Sequence, residues 1–495
     1  MPRLTDLMRQ AGLSQGIGGA EGAVAIAGLT ADSRAVRPGF LFAALPGTRE
    51  DGRAFIAEAV AKGAAAVLAP EGTAWPPAVP QRPLIRDADP RRRLALMAAA
   101  FHGAQPRTIA AITGTNGKTS TADFLRQIWS ALYGGRAASL GTLGVIAPGR
   151  EPGSGLTTPD PVLLAATLAE LARAGIDHAA IEASSHGLDQ RRLDGVALSA
   201  AAFTTFTRDH LDYHGSMEAY LDAKLRLFDT LLPEGAPAVA HTALPEEARA
   251  RLGAIAAARR LRLLTVGPGG DAIGVEEALP RPDGQAITLV HAGLRRDLVL
   301  PLIGFQAENA VVAAMVAIAA GAEADAVFAL LPHLAGVRGR IERVAVLGNG
   351  ASVYVDYAHT PDAITTVLAA LRPHVTGRLA IVLGAGGDRD PGKRPLMGEA
   401  AARGADRVIV TDDNPRSEDP AAIRAAVLAG ARAVRAEAAE IGDRAEAIAV
   451  AIAGLGPGDV LVIAGKGHEQ GQEIGGRVIP FDDAEVARAI AARWR

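Results

Sequence analysis

Residues 113–120 read Thr113-Gly114-Thr115-Asn116-Gly117-Lys118-Thr119-Ser120, and their reading decides the fold. A β-branched run at 108–112 precedes them, and Phe124, Ile128 and Leu132 behind them repeat at helical spacing on one face. Strand, glycine-rich turn, Lys-Thr and helix make a phosphate cradle. The glycines let backbone N–H groups point inward, and the helix N-terminus adds positive potential. Lys118 would reach the β- and γ-phosphates of a nucleotide, and the Thr119 hydroxyl would hold Mg²⁺. The general phosphate loop, G-x-x-x-x-G-K-[ST], needs glycine at position 112, where this chain has Ile112. The loop is therefore a shortened form, Gly114-x-x-Gly117-Lys118-Thr119. A chance Gly-Lys-Thr in a tight turn is the alternative; the flanking strand and helix favour nucleotide binding.

The chain has 495 residues, too many for one core, and length alone argues for about three domains. Its hydrophobic content of 49% and mean hydropathy of +0.17 describe a packed globular protein rich in alanine. A net charge of −3 gives no reason to expect a nucleic acid or a membrane surface as partner. With no cysteine, disulfides, zinc–thiolate sites and cysteine nucleophiles are excluded. The first residues carry charge early and no apolar leader segment, and the apolar run at 311–320 is too short to span a bilayer. A cytoplasmic enzyme is the expectation.

The pattern of elements predicts an α/β protein divided at 1–106, 107–342 and 343–495. In the first part, 41–45 and 65–68 read as strands, 55–62 as a helix, and a second helix runs from Arg91 to about His102. The central part opens with the phosphate loop, and strands at 178–182 and 201–206 alternate with helical segments, so its sheet is mostly parallel. Short alternating strands at 286–290 and 297–300 predict an antiparallel flap, followed by a helix at 309–320. In the third part, strands at 352–355, 379–383, 408–411 and 460–464 alternate with helices at 361–371, 395–403, 420–433 and 444–453, a Rossmann-like, doubly wound sheet. Each of these strands ends in a polar cluster, the place where such sheets bind ligands.

Two further segments of the central part carry chemistry. Glu182, in Glu182-Ala183-Ser184-Ser185-His186-Gly187, ends an apolar strand. A buried carboxylate there needs a partner or a metal, and a Mg²⁺ held by Thr119 would supply one; a solvated strand-end glutamate is the equal alternative. Thr207-Arg208-Asp209-His210-Leu211-Asp212-Tyr213-His214-Gly215 packs two histidines, two aspartates and an arginine together. His210 is either a metal ligand, a phosphate contact or a structural histidine. Hard oxygen donors beside a phosphate loop favour Mg²⁺ over zinc.

Together these segments resemble the Mur ligases, ATP-dependent amide-forming enzymes of peptidoglycan synthesis. Within that family the chain is most similar to the branch that adds the third stem-peptide residue. The resemblance runs from Asp32-Ser33-Arg34 through Gly114–Thr119, Glu182–Leu188 and Thr207–Gly215 to Asp356-Tyr357-Ala358-His359, Gly387-Asp388-Arg389-Asp390 and Asp413-Asn414-Pro415-Arg416. It implies a reaction joining meso-2,6-diaminopimelate to UDP-N-acetylmuramoyl-L-Ala-D-Glu through an acyl phosphate, with ATP and Mg²⁺, in a monomer with neither a nucleic-acid partner nor a membrane span.

It also implies roles for residues. Ser33, Thr48, Arg49 and Glu50 would hold the uridine diphosphate in the first domain. Thr157, Thr158, Ser185, Gln190 and Arg192 would hold the muramoyl dipeptide. Gly114, Thr115, Asn116, Gly117, Lys118, Thr119 and Ser120, with Asn309, Arg340, Asp356 and His359, would bind ATP. Lys118, Glu182, His210 and Lys224 would serve catalysis, and Thr119, Glu182, His210 and a carbamylated Lys224 the metal. Arg389, Asp413, Asn414, Pro415, Arg416, Gly465 and Glu469 would bind diaminopimelate. An arginine at 416 suits its distal carboxylate, which lysine lacks. The alternatives are a sibling ligase adding lysine, or glutamate to a folate, and a phosphate-loop NTPase acting as a switch.

Overall fold

A computed structural model describes residues 1–12, 19–47, 50–150 and 156–494. The chain forms two compact units, Met1–Thr265 with Val312–Val327, and Val266–Val311 with Phe328–Arg495.

The first unit holds two sheets. The smaller one is parallel throughout, with Gly28–Thr30, Phe40–Ala43, Ala66–Pro70 and Leu84–Asp87 side by side in that order. Strand side chains alternate between faces. Leu41, Ala66 and Leu68 therefore pack with Leu7, Leu94 and Met97 on one side, and Phe42, Val67 and Ala69 with Ile56 and Val60 on the other. The Pro90–His102 helix starts where Pro90 fits the first turn and the Asp89 carboxylate accepts from Arg92 N. The strands expected at 41–45 and 65–68 are present; Gly28–Thr30 and Leu84–Asp87, each too short to show a period, were not expected.

In the larger sheet the first unit contributes Pro237–His241, Ala200–Phe203, Thr108–Thr113, His178–Glu182, Ala137–Gly141 and Gly144–Ile146, adjacent in that order. All are parallel except the last, which turns back against Ala137–Gly141. Ile109, Ala110, Ala111 and Ile112 are all fully buried, as expected of a central strand covered on both faces. The strand expected at 201–206 stops at Phe203, because Thr204, Thr205 and Thr207 turn to hydrogen-bond the phosphate loop instead.

In the second unit, Ile273–Arg281, Gly284–His291 and Leu294–Leu300 form the antiparallel meander expected from the alternating pattern, with one strand more than the sequence signalled. The next helix, Phe305–Ala319, begins four residues before the expected start. The last sheet runs Glu342–Val346, Ser352–Asp356, Val460–Ala464, Leu379–Leu383, Arg407–Val410 and Ala439–Glu440, parallel apart from the first strand. Its two faces are covered separately. Ile364, Leu368, Met397, Ile423 and Val427 pack on one, and Ala447, Ile448, Ala451 and Ala487 on the other. The expected helices are there, with Lys393–Gly404 beginning two residues early and Pro420–Val434 ending one late. A hairpin of Gly471–Ile474 and Arg477–Pro480 follows the last parallel strand and was not expected.

Candidate functional site

The phosphate loop leaves the central strand of the larger sheet at its carboxyl end. Gly114 has φ 148°, and a Cβ there would collide with the Thr204 hydroxyl, so only glycine fits. Gly117, at φ 85°, starts the Lys118–Leu132 helix. The neighbouring segment fastens the loop from outside: Thr115 N donates to Thr205 O at 2.7 Å, and Asn116 N to Thr205 Oγ1 at 2.9 Å. Thr204 Oγ1 donates to Asn116 O at 2.5 Å. Thr115 Oγ1 meets the Tyr220 hydroxyl at 3.1 Å, and burial pushes that phenol up to about 12. The loop is thus tied to its neighbours by these four hydrogen bonds. Ser120 is buried in the helix's first turn.

Three ionisable side chains converge on this loop. Lys118 folds back over it, donating to Gly114 O at 2.8 Å and Thr115 O at 2.7 Å. Lys224, 1% exposed, donates to the same Gly114 O at 2.8 Å and lies over the Tyr220 ring. Burial first, and then the nearby Lys118 charge, hold its pKa well below the ordinary lysine range. Glu182 is 2% exposed and accepts from Thr119 Oγ1 at 2.9 Å and from Thr142 N at 2.7 Å. Gly141 makes room for it, since a Cβ there would strike Glu182 Oε1. Of the two readings of Glu182, the buried one holds.

His210 lies beside Tyr220, ring centroids 6.1 Å apart, and is more exposed than those three side chains. Its side chain is 46% exposed, with Nε2 3.5 Å from Asp209 Oδ2 and its ring against His186 at 4.9 Å. Its backbone is left-handed, at φ 51°. Among the described residues, no three His, Asp or Glu side chains gather to hold a metal. What is present is an oxygen pair, the Thr119 hydroxyl and the Glu182 carboxylate, of the hard type Mg²⁺ prefers. With its pKa lowered by burial, the Lys224 amine would lose its proton more readily than an ordinary lysine, the form that takes up CO₂ to become a carboxylate. The donor chemistry fits the ion.

A second cluster lies alongside. Thr158 Oγ1 donates to Glu182 O at 2.8 Å, and Thr157 Oγ1 meets Thr142 Oγ1 at 3.1 Å. Arg192 NH1 donates to Thr158 O at 2.6 Å and its NH2 to Gln190 Oε1 at 2.7 Å. Gln190 in turn donates to the Tyr213 hydroxyl at 3.1 Å. Ser185 is 2% exposed and its hydroxyl has no partner among the described residues, a polar atom left ready for a ligand. Of the five residues expected to hold the dipeptide, Thr158, Arg192 and Gln190 are joined by hydrogen bonds and Thr157 adjoins Thr158, while no bond ties the Ser185 hydroxyl to them. In the smaller sheet's region, the Ser33 hydroxyl donates to Glu58 Oε2 at 3.3 Å and Glu50 is exposed. Thr48 and Arg49 lie outside the described residues.

The second unit carries the other two groups. Asp356 is buried and accepts from Ile341 N and Ala358 N, each at 2.8 Å; burial raises its pKa. Arg340 lies over the Tyr357 ring at 4.9 Å, and its carbonyl accepts from Gln306, which accepts from Asn309. Gln306 therefore links Asn309 to Arg340, and the Arg340 charge acts on the Asp356 carboxyl against its burial. His359 bonds the Tyr357 carbonyl at 2.8 Å through Nδ1, and burial lowers its pKa.

The polar strand ends of the last sheet form a hydrogen-bonded network. Arg416, in left-handed backbone at φ 54°, donates from NH1 to Gly387 O at 2.6 Å and pairs through Nε with Glu473 at 3.2 Å. Asn414 donates to Glu469 Oε2 at 2.8 Å. A Cβ at Gly465, where φ is 115°, would strike Asp413 Oδ2, so glycine lets the carboxylate lie against the chain. Pro415 lies between these, its carbonyl packed on Gly387. Arg389 is exposed, its NH1 3.1 Å from Asp388 O. The sequence did not single out Thr142, Tyr220, Tyr357, Lys466 or Glu473. Lys466 and Tyr357 stood inside recognised polar clusters; the others carry no local pattern.

The chain matches models of three parts of one family: the Mur ligase catalytic domain at 25–102, the Mur ligase middle domain at 112–317 and the Mur ligase glutamate ligase domain at 339–467. It is 55% identical over 475 residues to the UDP-N-acetylmuramoyl-L-alanyl-D-glutamate--2,6-diaminopimelate ligase of Caulobacter vibrioides, covering 94% of this chain and 95% of that one. To the protein of that name from Chelativorans sp. it is 53% identical, covering 96% and 97%. A solved structure of a ligase of that name superposes with a TM-score of 0.73 at 34% identity and 98% coverage of both chains. The MurF ligase of Thermotoga maritima in complex with ADP superposes at 0.59 with 18% identity, a likeness of fold alone. A phosphate loop bonded to a buried glutamate, a polar network at the last sheet's strand ends, and full-length identity above one half converge: the chain belongs to the Mur ligase family.

Proposed function

We propose that this chain is an ATP-dependent amide ligase of peptidoglycan biosynthesis that adds meso-2,6-diaminopimelate to UDP-N-acetylmuramoyl-L-alanyl-D-glutamate. The observation that carries this reading is the 55% identity, across nearly the whole chain, to a relative of that name. Residues 1–106 hold the uridine diphosphate, 107–342 the ATP and the dipeptide, and 343–495 the diamino acid.

The γ-carboxylate of D-glutamate attacks the γ-phosphorus of ATP. ADP leaves, and a substrate acyl phosphate forms. The amine of the diamino acid then adds to the acyl carbon, loses a proton, and expels phosphate as the amide forms. Lys118 moves from its loop carbonyls onto the β- and γ-phosphates, and backbone N–H groups of 115–119 hold the phosphate oxygens in place. Thr119, Glu182, His210 and a carbamylated Lys224 would hold Mg²⁺, which neutralises phosphate charge when bound. Arg192 and the Ser185 hydroxyl orient the dipeptide carboxylate for attack. Arg416 grips the distal carboxylate of the diamino acid, while Asp413 and Glu469 take its ammonium groups.

The test is ADP release from ATP and the muramoyl dipeptide with diaminopimelate, lysine or ornithine added separately. Release that depends on diaminopimelate supports the reading. Release that depends on lysine points to a sibling ligase, and release indifferent to any amine points to an NTPase.

A further inference from the structure

Lys466 is the most buried lysine of the molecule, with no exposed side-chain surface. Its Nζ has three acceptors: Asn414 Oδ1 at 3.1 Å, Glu469 Oε2 at 3.1 Å and Gly471 O at 2.5 Å. A buried ammonium is tolerated only when its donors are matched in this way. Two of the acceptors belong to side chains already assigned to the diamino acid. The third begins the hairpin whose Gln472 side chain donates to Asp413 O at 2.7 Å and whose Glu473 pairs with Arg416.

The consequence lies in which way the Asn414 amide points. Its oxygen accepts from Lys466 Nζ and from Glu473 N at 2.9 Å, two donors that admit only an acceptor. Its nitrogen is thereby turned to Glu469 Oε2. That oxygen now receives both Asn414 and Lys466, so the carboxylate is pinned and its other oxygen, Oε1, is the one left to meet a substrate ammonium. We propose that Lys466 is the positioning residue of the amino-acid pocket, fixing the Asn414 amide and the Glu469 carboxylate in the orientation that receives the diamino acid. It acts through those two side chains and touches no reacting atom. This rests on the reading that the pocket binds the diamino acid.

The test is steady-state kinetics of Lys466→Met and Lys466→Gln in the full chain, varying each substrate in turn, with thermal melting as a check of folding. Losing a hydrogen bond to a charged group raises the diaminopimelate KM about 30-fold in the Met variant, from ~2 kcal/mol at 1.4 kcal/mol per tenfold. The KM values for ATP and the muramoyl dipeptide stay within about twofold of wild type, since no contact with either substrate is lost. The Gln variant, which keeps two donors, falls between Met and wild type, a grading that mere loss of packing would not give. A diaminopimelate KM unchanged in both variants, or an equal rise in all three KM values, overturns the proposal. Should the Met variant not fold, the Gln variant decides by the same two criteria. Wild-type turnover without diaminopimelate dependence would instead sink the functional reading itself.

Discussion

The phosphate loop of the first unit and the strand-end network of the second solve opposite problems. Around the loop, the lysines donate to the carbonyls of 114 and 115, and Glu182 accepts from a hydroxyl and a backbone N–H. No carboxylate forms an ion pair with Lys224 among the described residues, and burial holds its pKa well below the ordinary lysine range. In the strand-end network the charges answer one another, Lys466 with Glu469 and Arg416 with Glu473. That site is organised before binding and selects by shape and donor placement. The first should fail in rate, the second in affinity for one substrate.

The largest effect tests that split at the loop. Lys118→Ala should lower kcat by at least about 10²–10³-fold, the cost of losing a donor aimed at developing charge, as measured by coupled ADP release. A fall in diaminopimelate affinity alone would break the comparison. Next, Arg416→Ala should raise the diaminopimelate KM about 100-fold, since two charged hydrogen bonds go with it, with little change for ATP. Glu182→Gln should weaken activation by Mg²⁺ about 10-fold, read from a magnesium titration of activity.

The smallest effect is on stability. In CO₂-free buffer the unfolded chain keeps the Lys224 proton up to its ordinary value of 10.5, while the folded chain has lost it well below that. Unfolding therefore binds a proton across that interval, and this residue's contribution to stability rises with pH through it. Lys224→Met should be inactive yet melt a few degrees above wild type at pH 7, with the gap narrowing toward pH 10. A gap constant with pH would show that the amine is not buried neutral.

Much of this was legible in the sequence, for stated reasons. The Gly114–Thr119 spacing announced the loop, since few residue types allow its backbone. The alternation at 352–464 announced a doubly wound sheet, because helix and strand periods differ. What escaped were elements without a period, such as the Gly28–Thr30 strand and the Gly471–Pro480 hairpin. Partners supplied from far along the chain escaped too. Tyr220 reaches Thr115 across more than a hundred residues, and no local pattern records it. Burial was half visible at most: Glu182 read equally as buried or solvated, and the residues around Lys224 mark it as nothing more than a helix lysine.

The central claim is that the loop presents ATP to a substrate carboxylate. The direct measurement labels both oxygens of the dipeptide's γ-carboxylate with ¹⁸O and follows the label by mass spectrometry during turnover with diaminopimelate. The account predicts one labelled oxygen in the phosphate released per amide formed, carried over from the acyl phosphate. Amide that forms while the phosphate emerges unlabelled, the displaced heavy oxygen leaving as water instead, would contradict it.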